Sequence, residues 1–209
     1  MRILLVDDHA IVRHGLAALL REALPNAEFG EAEDATGGLH ALAYQNWDLA
    51  IVDIALPGRN GLDLLADLRA ARIPVPVLIV SAHAEQDYAI RALKLGAVGY
   101  VCKQSAADTL VTAVRRALAG GRYISPALAE RLAGSLASGT TEASHESLSN
   151  RELQVLKLIA SGLTLKEIGT KLSLSEKTVA TYRARITEKM GFASNVELTR
   201  YAMRQGLVD

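Results

Sequence analysis

The first half of the chain alternates between two patterns, and that alternation leaves few folds open. Short strand-like runs, all but the second rich in Val, Ile and Leu, stand at 2–7 (RILLVD), 27–32 (AEFGEA), 49–53 (LAIVD), 75–81 (VPVLIVS) and 98–103 (VGYVCK). Between them, near 10–23, 36–46, 60–71, 85–95 and 106–119, apolar residues recur at helical spacing. Most of the runs are continuously apolar rather than alternating, which predicts strands buried on both faces. That in turn implies a parallel sheet whose right-handed crossovers carry helices to either side. About five such strands suit the flavodoxin-like order, in which sites form at the carboxyl ends of strands beside the reversal of winding.

The residues at those ends are Asp7 and Asp8, Asp53, Ser81 and Lys103. A single aspartate after a strand is an ordinary turn residue. A set gathered on one sheet edge is another matter, because a charge beside a core costs several kcal/mol unless it is paired, hydrogen-bonded or bound to a metal. Three carboxylates in one cleft repel each other unless a cation sits among them. Hard oxygen ligands with room for waters and a phosphate suit Mg²⁺.

These stretches, LLVDDHAIVRHGL, IVDIALPGRNGLDLL, LIVSAH and GYVCK, resemble the receiver domain of two-component response regulators. The resemblance implies that Asp53 accepts a phosphoryl group from a sensor histidine kinase. It implies that Asp7 and Asp8, with Asp53 and the backbone carbonyl of Ala55, hold Mg²⁺. Ser81 then corresponds to the switch hydroxyl, Lys103 to the phosphate-pairing lysine and Tyr100 to the aromatic that turns inward when the hydroxyl moves. Gln104 departs from the acidic or proline neighbour often seen after that lysine. His9 and His83 read as rim histidines, His83 with a place in phosphoaspartate hydrolysis, and Cys102 as an apolar filler at a strand end.

The total charge is zero, yet it divides. Residues 1–145 carry 13 Lys and Arg against 16 Asp and Glu, a net of −3, whereas 146–209 carry 10 against 7, a net of +3. Between the halves lies GSLASGTTEASHES (134–147), small and polar as a flexible linker is, preceded by the helical pattern PALAERLAGSLA from Pro126. The expected organisation is a receiver domain at 1–121, a linker with a short helix at 122–145 and a second domain at 146–209.

In that second domain strand patterns vanish. SNRELQVLKLIASG opens with Ser149 and Glu152 at capping-box spacing and stops at Gly162. TLKEIGTKL and SEKTVATYRARITEKMG follow, separated by SLS, a spacing suited to helix-turn-helix with Ser175 as the cap of the second helix. Ile168, Leu172, Leu174, Val179 and Ile186 form the expected buried stripe. Lys177, Thr178, Thr181, Tyr182, Arg185 and Lys189 are left for the outer faces. A basic helix is often only a solvated surface, but a tight-turn partner and a net positive domain favour entry into a major groove of double-stranded DNA. LSNREL, KEI and LSEKTV resemble the LuxR-type DNA-binding domain, so the chain is similar to NarL/FixJ-class response regulators: a flavodoxin-like α/β receiver joined to a small all-α helix-turn-helix domain. Ala180 and Ala184 stand where many relatives carry larger polar residues, which shifts expected base reading to Thr181, Tyr182 and Arg185.

The last helical pattern, NVELTRYAMRQGL (195–207), either packs on its own domain or pairs two copies on adjacent half-sites, and a homodimer on phosphorylation or on DNA is expected. One cysteine excludes an intramolecular disulfide framework, and no run approaches the ~18 apolar residues of a membrane span, so a cytoplasmic protein without a membrane partner is expected. The function implied is a transcription factor that catalyses only its own phosphotransfer and dephosphorylation. Two alternatives remain at this point. A phosphate-ester hydrolase would turn over repeatedly at Asp7, Asp8 and Asp53, and a constitutive DNA binder with a vestigial receiver would be indifferent to Asp53.

Overall fold

The structure, a computed structural model, describes residues 1–82, 85–105, 107–138 and 145–208, and the side chains of all of these except 86, 87, 134–138 and 146. The chain divides into two compact units, Met1–Ala137 and Ser138–Asp209.

The first unit is built from β1 (Arg2–Val6), α1 (Ala10–Ala23), β2 (Glu28–Ala32), α2 (Ala35–Tyr44), β3 (Leu49–Val52), α3 (Gly61–Ala70), β4 (Val77–Ser81), α4 (Glu85–Leu95), β5 (Gly99–Cys102), α5 (Ala107–Leu118) and α6 (Pro126–Ser138). The strands form one parallel sheet in the order β2-β1-β3-β4-β5, so the winding reverses between β1 and β3. Strand side chains alternate between the two faces. Ile3, Leu5, Leu49, Ile51, Leu78, Val80 and Val101 therefore point to one side, where Ala17 and Leu20 of α1 and Leu110, Ala113 and Val114 of α5 close over them. On the other side α2 comes so close that a Cβ on Gly38 would crowd Val6 and Leu64.

After α5 the chain does not leave the sheet at once. Tyr123 donates its N–H to Val98 O (2.8 Å) and forms an isolated parallel bridge with Gly99 at the free edge of β5. Ser125 then accepts from Leu128 N (3.1 Å) at the start of α6 while its hydroxyl donates to Glu85 Oε2 of α4 (2.7 Å), and Leu128 is buried. The first unit thus runs past residue 121, because backbone pairing and a buried leucine hold the following segment to it.

Among its described residues the second unit contains a 3₁₀ turn (His145–Ser147), then α7 (Asn150–Ala160), α8 (Leu165–Leu172), α9 (Glu176–Met190) and α10 (Asn195–Arg204). Each helix begins with a hydroxyl cap, Ser149, Thr164, Ser175 or Ser194, whose side chain accepts from the backbone three residues on. Leu153, Val155, Leu156, Ile168, Val179, Ile186, Leu198 and Ala202 are buried. Leu172 and Leu174, expected in the buried stripe, are only half-buried, because they flank the tight turn rather than face the middle of the bundle. That turn passes through Ser173 in the left-handed region (φ 54) and closes with Leu174 N donating to Gly169 O (2.8 Å). A Cβ on Gly169 would stand 2.7 Å from Leu174 O, so the turn is built around the absence of a side chain.

Candidate functional site

The strand ladders deliver the acidic residues. Val6 pairs with Val52, and the ladder continues one step as Asp53 N donates to Val6 O (2.8 Å) and Asp7 N to Ala32 O (3.2 Å). On the other side of β4, Ser81 pairs with Cys102 and its carbonyl accepts from Lys103 N (2.8 Å). Asp7, Asp53 and Ser81 are consequently 2%, 3% and 0% exposed, an unusual concentration of polar groups beside a core. Behind Asp53 the backbone is tight as well. A Cβ on Gly61 would overlap the Asp53 carbonyl oxygen, so the loop leading into α3 can only approach with glycine there.

Lys103 ties the pocket together. Its ammonium donates to Asp7 Oδ2 (2.6 Å) and to Asp53 Oδ2 (2.7 Å). Burial is the largest influence on it and by itself would lower its pKa. The hydrogen bonds and charges of Asp53 and Asp7 together outweigh that and hold the ammonium above its ordinary value. Tyr100, fully buried on β5, lies against Ser81. Burial pushes its phenol well above the ordinary tyrosine range, Cys102, Tyr88 and Asp53 add to the rise, and a hydrogen bond with Ser81 opposes it.

The pocket suits a hard cation. Asp7, Asp8 and His9 present ligand atoms that all lie within 4.8 Å of one another. Asp7 Oδ1 accepts from His9 N (2.9 Å), and the His9 ring lies 2.7 Å from Asp8 Oδ1. Asp53 Oδ1 is a buried carboxylate oxygen without a hydrogen-bond partner, a costly arrangement for an isolated charge and the natural donor to a divalent ion. Ala55 lies in the exposed loop two residues beyond Asp53. His83 lies outside the described residues.

In the second unit, α9 presents Lys177, Thr181 and Arg185 to solvent, with Thr178 and Tyr182 half-buried. The Thr181 hydroxyl donates to Lys177 O (3.0 Å), and Thr178 Oγ1 lies 2.7 Å from the cap hydroxyl of Ser175, so both threonines also serve their own helix. Lys189 stands apart from this group. Its ammonium donates to Glu152 Oε2 (2.7 Å), pinning the end of α9 to the buried first turn of α7. Burial alone would raise the Glu152 pKa. Lys189 and the Ser149 capping bonds more than reverse this and hold it below the ordinary glutamate value.

Two features escaped the sequence reading. One is the Glu152–Lys189 pair, which joins residues 37 apart and leaves no local trace. The other is Arg13, buried in α1 and donating to Asp7 O (2.6 Å), to Glu31 Oε2 (2.9 Å) and, more weakly, to Glu33 Oε1 (3.4 Å). A signal for it existed. Arg13 falls on the same helical stripe as Ala17 and Leu20, both buried, so the periodicity had already placed a cation on an apolar face.

A parallel sheet in this order, with an acidic pocket and a lysine at its carboxyl edge, defines a receiver-type fold. Comparison with known proteins agrees. The model for the response regulator receiver domain matches residues 3–115, and that for bacterial regulatory proteins of the luxR family matches 146–202. The response regulator GacA of Pseudomonas aeruginosa is 35% identical over 210 residues, covering 100% of this chain and 98% of that protein. The response regulator UvrY of Escherichia coli O157:H7 is 35% identical over 211 residues, covering 99% and 95%. Among solved structures, RcsB from Salmonella enterica serovar Typhimurium, bound to promoter rprA in the presence of the phosphomimetic BeF3-, is similar with a TM-score of 0.65 and 25% identity over 100% of both chains. The chain belongs to the NarL/FixJ-class response regulators, which join a receiver domain to a LuxR-type helix-turn-helix domain.

Proposed function

We propose that this response regulator is switched by phosphorylation of Asp53 and reads promoter DNA with α9. The observation that carries the reading is the meeting of Asp7, Asp53 and Lys103, with one Asp53 oxygen bonded to the ammonium and the other buried without a partner. In the transfer from a sensor histidine kinase, an Asp53 oxygen forms a bond to phosphorus as the P–N bond to the kinase histidine breaks. The electron pair goes to the imidazole nitrogen, which then takes a proton from solvent. Lys103 pairs the charge that develops on the phosphoryl oxygens, so positioning and electrostatics do most of the work. Asp7, Asp8 and Asp53, with the carbonyl of Ala55, are the residues that would hold Mg²⁺. When bound, Mg²⁺ supplies charge neutralisation for the phosphoryl group. Hydrolysis of the acyl phosphate resets the site, and the protein performs no other catalysis.

The new group adds roughly −1.5 to −2 charge at the sheet edge. Ser81 is the hydroxyl placed to answer it, and Tyr100, its buried neighbour, carries the change toward β5 and α4. In the second unit Lys177, Thr178, Thr181, Tyr182 and Arg185 face phosphates and base edges of double-stranded DNA, with Lys189 anchoring the far end of the helix. Two copies bind adjacent half-sites as a homodimer. Among the described residues no helix is long and apolar enough to cross a membrane, and the single cysteine, Cys102, is unpaired, both of which suit a cytoplasmic regulator.

Acetyl phosphate with Mg²⁺ tests the reading. One phosphoryl group per chain is expected by intact mass, none on the Asp53→Asn variant, and genome-wide occupancy that changes under stimulus only in wild type. Sustained turnover of phosphate monoesters, or identical occupancy in both proteins, would overturn it.

A further inference from the structure

The buried guanidinium of Arg13 serves no step described so far. It is the sole basic side chain among the described residues that is buried, with 5% of its surface exposed. Taking a cation out of water is expensive, and an apolar residue on the stripe shared with Ala17 and Leu20 would pack there without that cost. Glu31 satisfies one side of the fork at 2.9 Å, which offsets the charge. The shortest of its bonds, however, goes to the backbone carbonyl of Asp7 (2.6 Å). That carbonyl belongs to the peptide that joins Asp7 to Asp8. A peptide is planar, so holding its oxygen stops the plane on which both residues hang from rotating and narrows the directions open to the two carboxylates. Every other polar atom of Asp7 is also held, the N–H by Ala32 O, Oδ1 by His9 N and Oδ2 by Lys103. Arg13 supplies the remaining restraint, from a helix that the strand ladders do not reach.

We infer that Arg13 is a positioning residue for the divalent cation: by gripping the Asp7–Asp8 peptide it pre-sets the paired acids for metal binding. The inference rests on the reading of this pocket as the Mg²⁺ site. Partners that orient metal ligands without touching the metal typically contribute about 10–100-fold to metal affinity. Removing Arg13 therefore weakens Mg²⁺ binding by about tenfold or more, while phosphorylation at saturating Mg²⁺ is retained.

The test is calorimetric titration of MgCl₂ into the full-length wild type, Arg13→Met and Arg13→Lys, with acetyl phosphate labelling of Asp53 followed across the same Mg²⁺ range. Arg13→Met is expected to bind Mg²⁺ more weakly and to shift the labelling curve to higher Mg²⁺ without lowering its plateau. Arg13→Lys, which keeps the charge and one point of attachment, is expected to fall between. A merely structural role would lower the melting temperature and leave the Mg²⁺ affinity of the folded protein unchanged, and that result overturns the inference, as does a lost plateau at saturating Mg²⁺. If circular dichroism shows Arg13→Met unfolded, Glu31→Gln, which slackens the anchor and keeps Arg13, is titrated instead. Weakened binding then supports the inference and wild-type affinity overturns it. Failure of the wild type to bind Mg²⁺ at all would instead overturn the reading of the pocket, and this inference with it.

Discussion

The two units place their polar chemistry in opposite ways. In the receiver unit the groups that matter are sunk at strand ends, with Asp7, Asp53 and Ser81 nearly inaccessible and one lysine compensating two carboxylates. In the helical unit the candidate contact residues Lys177, Thr181 and Arg185 lie in solvent, and the buried ionic group Glu152 caps its own helix and fastens it to another. Burial raises the strength of every electrostatic interaction, which suits a site that must hold a small dianion and feel its arrival. A surface that meets a long polyanion needs reach instead, and solvation costs it little.

That contrast can be broken experimentally, beginning where removal of one charge matters most. Lys103→Met leaves Asp7 and Asp53 facing each other uncompensated, and loss of one partner of a buried pair typically costs about 3–5 kcal/mol. The single tryptophan, Trp47, stacks over Gly30 in the receiver unit and so reports that unit alone. Its fluorescence in urea is expected to show a much lower midpoint for Lys103→Met, with partial recovery on adding Mg²⁺, whose charge replaces the ammonium. An unchanged midpoint would show that the carboxylates tolerate each other.

The matching cut in the helical unit is smaller. Glu152→Gln is expected to cost about 1–2 kcal/mol, at or just below the low end for charged hydrogen bonds, because Lys189 is 43% exposed and screened by solvent. Glu152 has a folded pKa below its ordinary 4.5, so its contribution is complete above that value and disappears as pH falls through the lower folded value. The gap between wild type and variant, read by helical circular dichroism, should therefore close in acid. Trp47 fluorescence should not respond. Smallest of all, Ser175→Ala removes the cap of α9 and is expected to lower stability by about 1 kcal/mol. A larger loss of DNA affinity than of stability would show that the cap also presents the helix.

Periodicity and composition made the layout legible because both are local. Each apolar run became a strand within a residue or two, and the strand-end rule placed Asp7, Asp53, Ser81 and Lys103 on one edge. The pairing of Ser149 with Glu152 was readable for the same reason, being three residues apart. What stayed hidden depends on partners distant in sequence. Lys189 reads as an outward cation until Glu152 is found beside it, and the grip of Ser125 on Glu85 spans 40 residues. Arg13 is the instructive case, since its position on the buried stripe was visible but its three acceptors, on β2, in the turn after it and beyond β1, were not.

The turn between α8 and α9 carries one last implication. Its geometry is set where Gly169 meets the Leu174 carbonyl, a contact made by backbone atoms alone. Among the described residues, the side chains of Lys177, Thr181 and Arg185 take no part in that contact. Exchanging any of these three for another residue should therefore leave the angle between α8 and α9 unchanged, whereas Thr178, which touches the Ser175 cap, is not free in the same way.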